Sequence, residues 1–381
     1  MSIYEDEHEL FRDSVRAFVD AQMRPHVAEW EREGIMDRNI YVEAGKLGFT
    51  GMTVPEQFGG GGVRDFRFNA VINEEIARAG IGGGGQGLLL HNDITTPYFV
   101  EYCTEEQSER WLSGIASGEL ITAIAMTEPG TGSDLQSIAT TAVQDGDEWV
   151  LNGAKTFITN GINSDLVIVA CKTGDAGNGA GSMSLLVVER GMPGFERGRN
   201  LDKVGQHSAD TAELFFDDVR VPADNVLGEI GRAFDYLSFN LAQERLAIGL
   251  FGVAAAQAAL DWTVEYVKER EAFGKPIASF QNTKFVLAEV ATEVDVTQPF
   301  IDQCVTKLNA GELSPADAAK AKLWGSELQK RTTDRCLQLF GGYGYMAEYP
   351  IGQAYVDARI CTIYGGTSEI MKTIISKDVL A

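Results

Sequence analysis

The run Phe239-Asn-Leu-Ala-Gln-Glu244-Arg245-Leu246 continues without proline to Val267-Lys-Glu-Arg270-Glu-Ala-Phe273-Gly274, and the rest of the chain is organised around it. Between its ends lie Ala254, Ala255, Ala256, Ala258 and Ala259, strong helix formers whose small side chains let other helices approach closely. The pattern predicts one helix over residues 239–274, closed before Pro276. A helix of about 30 residues is about 45 Å long, so its two ends can serve two different sites.

Downstream, helices are predicted from about 280 to 309, where Gly311 breaks the run, and from Ser314-Pro315-Ala-Asp317, a capped start with proline in the first turn, to Gly341-Gly342. A last helix begins after Thr367 as N-cap and ends near Lys377. Upstream, residues 121–226 carry strand texture: Trp149-Val-Leu between the turn signals Asp145-Gly146 and Asn152-Gly153, then Leu166-Val-Ile-Val-Ala, Met183-Ser-Leu-Leu-Val-Val and Ala212-Glu-Leu-Phe-Phe-Asp. Residues 175–181 read as a small polar surface loop. Before residue 120 the pattern is helices with short breaks. Pro25 is expected to close the first, Gly59 to Gly62 mark a turn-rich stretch, residues 66–79 carry an apolar helical face, and Thr104-Glu-Glu-Gln opens another helix with a capping box. The predicted fold is α+β, with an N-terminal helical domain (1–120), a middle antiparallel β domain, sandwich or barrel (121–226), and a C-terminal helical domain (227–381).

Composition excludes several functions. A net charge of −23 repels nucleic-acid phosphates. No apolar run is expected to span a bilayer, and the acidic start Met-Ser-Ile-Tyr-Glu-Asp-Glu-His is unlike a targeting peptide. The five cysteines are scattered, with no Cys-x-x-Cys pair, which favours a reducing, cytoplasmic compartment; the four isolated histidines offer no metal site. Gly82, Gly84 and Gly87 formally fit a dinucleotide-binding glycine pattern, but a helix precedes them where that motif needs a strand.

Five motifs carry candidate chemistry. Met126-Thr127-Glu-Pro-Gly-Thr-Gly-Ser133-Asp is a strand end entering a Gly-rich turn, able to present amides and hydroxyls to a polar ring or phosphate, or simply to turn the chain. Lys155-Thr-Phe157-Ile-Thr159-Asn-Gly is a strand with an aromatic and a hydroxyl two residues apart, expected on one face. Arg270-Glu-Ala-Phe273-Gly-Lys-Pro with Gln281, and Gln338-Leu-Phe-Gly341-Gly342-Tyr-Gly, read as helix ends with glycine stops. Ile363-Tyr-Gly365-Gly366-Thr367-Ser-Glu369-Ile is a loop entering a helix, a place that attracts anions.

In this order and spacing the five resemble the acyl-CoA dehydrogenase family along essentially the whole chain, most closely its long-chain branch. The resemblance implies a C-terminal four-helix bundle, a homotetramer built as a dimer of dimers, bound FAD, and oxidation of an acyl-CoA to the trans-2-enoyl-CoA, with electrons passed to an electron-transfer flavoprotein. Carried across, Met126, Thr127 and Ser133 contact the flavin, Ser133 also lying near the CoA. Phe157 and Thr159 flank the isoalloxazine, and many relatives have Trp where Phe157 stands. Arg270, Phe273 and Gln281 reach a neighbouring subunit's FAD, Gln338, Gly341 and Gly342 complete its diphosphate site, and Thr367 and Glu369 also touch FAD.

Much of the family has its basic Glu at the position held here by Gly365, which has no side chain to take a proton. A smaller group, with the long-chain and isovaleryl branches, carries it on the long helix before an arginine, where Glu244-Arg245 stands. The resemblance therefore implies that Glu244 abstracts the α-proton while FAD N5 takes the β-hydride. Gly365 and Gly366, beside the substrate, leave room for Glu244 to reach across, the Gly365 N–H can hydrogen-bond the thioester oxygen, and Arg245 orders the loop or the CoA. The glycines of residues 82–90 either widen the far end of the acyl pocket for a long or branched chain or form a floppy connector. A flavin oxidase or monooxygenase on the same fold, and a non-catalytic acyl-CoA-binding subunit, remain as alternatives.

Overall fold

The computed structural model describes residues 2–173 and 182–381; the polar stretch at 175–181 lies outside the described residues. Seven helices form the N-terminal unit: α1 (Asp6–Phe18), α2 (Val27–Glu33), α3 (Asn39–Lys46), α4 (Phe66–Arg78), α5 (Gly82–Leu89), α6 (Thr96–Tyr102) and α7 (Glu105–Ser117). Pro25 does not close the first helix. The chain passes through a π turn and a 3-10 turn, with Pro25 at a first-turn position where no amide hydrogen is needed, and stops only at Gly34, φ +76°. The expected capping box at Thr104 is present, and Gly118 ends α7 in the left-handed conformation.

The glycine-rich run proves to be α5, neither a floppy connector nor a means of widening a pocket. A Cβ added at Gly83, Gly85 or Gly87 would collide with Ser208, Ile76 or Tyr41, and one at Gly84 would press on Trp30. Each glycine disfavours a helix by about 1 kcal/mol relative to alanine. This helix therefore depends on the close approach of its neighbours.

The middle unit is an eight-stranded sheet: β1 (Thr122–Ala125), β2 (Thr141–Asp145), β3 (Glu148–Thr159), β4 (Leu166–Thr173), β5 (Met183–Glu189), β6 (Phe195–Asn200), β7 (Thr211–Pro222) and β8 (Val226–Leu227). The order is β6-β7-β3-β2-β4-β5-β8, with β1 beside β4. Most pairings are antiparallel as expected, but β4 pairs in parallel with both β1 and β2. Leu166, Ile168 and Ala170 enter a core shared with α6 and α7, while Val167, Val169 and Cys171 enter a second core within the sheet. Burial of both faces explains why β4 reads as an unbroken apolar run. Asp145-Gly146 is the expected turn, but Asn152-Gly153 is not. β3 runs straight through it, and Gly153 marks a bulge against β7 where a Cβ would collide with Thr140.

The C-terminal unit comprises α8 (Ala233–Glu269), α9 (Gln281–Asn309), α10 (Pro315–Phe340), α11 (Pro350–Asp357) and α12 (Ser368–Val379). Helices α8, α9 and α10 pack on one another and α12 packs on α10. Gly249 and Gly252 of α8 lie against the backbone of α10 at Ala321 and Gly325, so these two axes come unusually close. Helix α8 starts six residues before Phe239 and ends at Glu269. A short hairpin, β9 (Glu271–Ala272) and β10 (Lys275–Pro276), follows, turned by Phe273 and Gly274 at φ +54° and +76°. Contrary to expectation, α8 is long and apolar enough to cross a membrane, but 61% of its most apolar window is buried inside the protein, as its place in the bundle requires. All five cysteines are free thiols.

Candidate active site

The loop between β1 and β2 is tied down by a buried ion pair. Lys155 Nζ on β3 lies 2.8 Å from Glu128 Oε1 and also donates to the Met126 carbonyl. The Glu128 carboxylate further accepts from the amides of Ala139 and Thr140, and the Thr156 amide donates to the Thr127 carbonyl at 2.9 Å. Met126 and Thr127 are thereby held beside Phe157, Ile158 and Thr159. Phe157 breaks the strict alternation expected of this strand. At φ +60° it sits in a second bulge, and its ring is 67% exposed.

These residues form one wall of a cavity of about 260 Å³. The cavity also gathers Ser133, Glu244, Arg245, Gly365 and Gly366, so nine of the anticipated residues meet here. The Thr127 and Ser133 hydroxyls and the Gly132 and Ser133 amides make no hydrogen bond to other described residues, leaving polar groups for a ligand at an otherwise apolar cleft.

Glu244 is 3% exposed and belongs to no ion pair among the described residues. Its Oε1 accepts a 3.0 Å hydrogen bond from Tyr98 Oη, from α6. Burial pushes its pKa up to about 7, against the opposing pulls of Tyr98 and the neighbouring Arg245. A carboxyl poised near neutrality within a cavity is suited to take a proton. Arg245 is 9% exposed, its pKa is lowered by burial, and its Nε has no partner among the described residues.

The Gly365-Gly366 loop crosses α8 at Ile248, one turn beyond Glu244. Both glycines have positive φ, +63° and +96°, and a Cβ at 365 would collide with Ile248 Cδ1. The loop is fixed from behind by Lys322, fully buried on α10, whose Nζ donates to the Gly366 carbonyl at 2.6 Å. Thr367 is occupied as the N-cap of α12, accepting from the Ile370 amide, and Glu369 is exposed on that helix.

The remaining residues lie elsewhere. Arg270, Gln338, Gly341 and Gly342 line a separate concave surface at the far end of α8, with the Arg270 guanidinium 5.3 Å above the Tyr343 ring. Phe273 is 95% exposed on the hairpin and Gln281 is exposed at the start of α9. Twenty-six residues of helix separate Glu244 from Arg270, about 39 Å, so within one chain the two groups do not form one site. Tyr98, Lys322, Asn73 and Asp93 are site residues that no motif announced. Only the long-range packing of α4, α6 and α10 on α8 brings them in.

Models of the acyl-CoA dehydrogenase N-terminal, middle and C-terminal domains match residues 5–119, 123–219 and 231–380. The chain belongs to the acyl-CoA dehydrogenase family. It is an oxidoreductase with that family's fold, helical, β and helical in turn. It is 47% identical to the long-chain specific mitochondrial acyl-CoA dehydrogenase of Sus scrofa, covering 99% of this chain and 87% of that protein. A crystal structure of an acyl-CoA dehydrogenase from Geobacillus kaustophilus superposes with a TM-score of 0.96 at 48% identity, covering 99% of each chain. A glutaryl-CoA dehydrogenase from Mycobacterium smegmatis, solved in complex with FADH2, is 26% identical with a TM-score of 0.91, covering 99% of this chain and 95% of that one.

Proposed function

We propose that this protein is an FAD-dependent dehydrogenase of long-chain or branched acyl-CoA, with Glu244 as the base. The observation that carries the reading is a buried carboxyl, poised near neutrality, in the same cavity as the Thr127 and Ser133 donors and facing a loop that has glycine where a carboxylate would otherwise stand. The unspent hydroxyls and amides of Thr127, Gly132 and Ser133, with the exposed ring of Phe157, fit a flavin. FAD, when bound, supplies the hydride acceptor.

The chain's own residues account for the rest. Tyr98 holds the carboxylate of Glu244 and favours its ionised form, which removes the α-proton. The apolar wall excludes water and so strengthens each electrostatic contact inside. The Gly365 amide supports the charge that develops on the thioester oxygen. Arg245, whose Nε is unpaired among the described residues, has a donor to give to the substrate.

The distance between Glu244 and Arg270 supports their serving different sites, as they would in a homotetramer in which Arg270, Phe273, Gln281, Gln338, Gly341 and Gly342 serve a neighbour's FAD. Electrons then leave to an electron-transfer flavoprotein, and the free thiols favour a cytoplasmic setting. Anaerobic mixing with a panel of acyl-CoAs tests the reading. Bleaching of the flavin that Glu244→Gln abolishes is expected; no bleaching at any chain length refutes it, and rapid recolouring in air without an acceptor identifies an oxidase.

A further inference from the structure

Most of the cavity wall is apolar, formed by Leu89, Leu90, Ile94, Leu241, Ile248 and Phe251. Apart from the polar groups already described, a further polar patch interrupts it. Asp93, in the π turn Leu90–Thr95, and Asn73, on α4, both line the cavity. Asn69 Nδ2 donates to Asp93 Oδ1 at 2.7 Å, and Asn73 Nδ2 donates to Oδ2 at 2.7 Å. Gln243, the residue before the base, donates to the Asp93 carbonyl at 2.7 Å, tying this patch to the catalytic turn of α8.

The arrangement is costly as packing alone. Asp93 is 3% exposed, both of its side-chain partners are neutral amides, and no cation pairs with it among the described residues. Burial raises its pKa to about 7. Apolar side chains at 73 and 93 would join the same helices without desolvating a carboxyl. Each carboxyl oxygen spends one acceptor position on an asparagine and keeps another. Asp93 reaches the cavity wall from a π turn, a local widening of the helix of a kind that recurs at functional sites.

We infer that Asp93 is a specificity residue that binds a hydroxyl carried by the acyl chain beyond the reacting carbons, so that the preferred substrates are hydroxylated acyl-CoAs. A hydroxyl both donates and accepts, and therefore pairs with this carboxyl in either protonation state. The inference rests on the acyl-CoA reading above.

The test uses acyl-CoAs of equal length, unsubstituted or hydroxylated at successive carbons beyond the β position, with anaerobic flavin bleaching as the readout. The wild type is expected to favour at least one hydroxylated chain over its parent by about tenfold or more in kcat/KM, since a site built to bond a hydroxyl discriminates against the analogue lacking it. Asp93→Leu is expected to bring the ratio to one or below. Because both substrates are measured on the same preparation, loss of folded protein cancels, and Asp93→Asn, which keeps size and one acceptor, should fall between. A wild-type ratio at or below one for every position, or a preference that survives Asp93→Leu, overturns the inference and leaves the dehydrogenase reading intact. Bleaching by neither class overturns both.

Discussion

Replacing Tyr98 by phenylalanine isolates the one side-chain hydrogen bond that the proposed base makes among the described residues. The ring stays, and only the hydroxyl that donates to Glu244 Oε1 at 3.0 Å is lost. Hydrogen bonds to charged groups contribute about 1.5–3 kcal/mol. One pKa unit corresponds to about 1.4 kcal/mol, so the loss raises the Glu244 pKa by about 1–2 units. The direction follows from the donor, which favours the ionised carboxyl. Starting from about 7, the group moves to a region where only about a tenth to a hundredth of it is ionised at neutral pH. Flavin reduction requires that ionised form. Tyr98→Phe should therefore slow anaerobic bleaching by about 5- to 50-fold at pH 7 and recover most of the wild-type rate at alkaline pH. The measurement is the pH profile of the reduction rate in both proteins. A uniform slowing at every pH, or an unmoved midpoint, refutes the reasoning, because either result means that Tyr98 acts on something other than the protonation of Glu244.

Glu244→Gln should retain substrate binding and lose at least about 100-fold in reduction rate by stopped flow. The same substitution should stabilise the protein: the folded-state pKa is raised from 4.5 to about 7, so stability present below about 4.5 is lost as pH rises through 7. Denaturant unfolding above pH 7 should show a gain on the order of 3 kcal/mol that fades as the pH approaches 4.5. Lys155→Met strands the buried Glu128 carboxylate, and is expected to cost about 3–5 kcal/mol in unfolding and to weaken flavin retention in titrations. Gly365→Ala should cost about 1–2 kcal/mol from its left-handed backbone alone, and Ile248→Val, which removes the colliding Cδ1, should recover only the remainder. Phe273→Ala, at a 95% exposed ring, should leave the fold intact but loosen the assembly, seen as concentration-dependent mass by light scattering.

Helix ends were the most legible part of the fold. Thr104, Ser314 and Thr367 each announce a cap, and each accepts the expected backbone N–H, because capping is settled within one turn of chain. The errors came where distant contacts overrule local preference. Asn152-Gly153 has turn chemistry, yet β7 pairs along the whole of β3 and leaves the glycine as a bulge. The run at 82–87 has the composition of a linker, yet Ile76, Tyr41 and Trp30 press it into a helix that alanine would not fit. Phe157 was expected to share a face with Thr159 by regular strand alternation, and its left-handed backbone breaks that alternation. For the site, Glu244 and the two glycine loops that meet it in one cavity were readable from motifs, whereas Tyr98 and Asp93 come from segments with no motif and meet α8 only through tertiary packing.

The position of the proposed base has a steric logic that the motifs alone do not convey. Glu244 and Ile248 are four residues apart on α8 and so share one face, which the loop at 365 crosses. Ile248 already fills the space into which a side chain at 365 would project, and the backbone there is left-handed, which a residue with a Cβ adopts only at a cost. A loop carboxylate and this helix face therefore compete for one volume. With Ile248 in this rotamer a side chain at 365 has to displace its terminal methyl, whereas Glu244 is carried on 37 residues of continuous helix and held by the Tyr98 hydroxyl. Placing the proposed base on the loop instead would thus require changes at 244 and 365 together, and a substitution at 365 alone should lose activity rather than duplicate it.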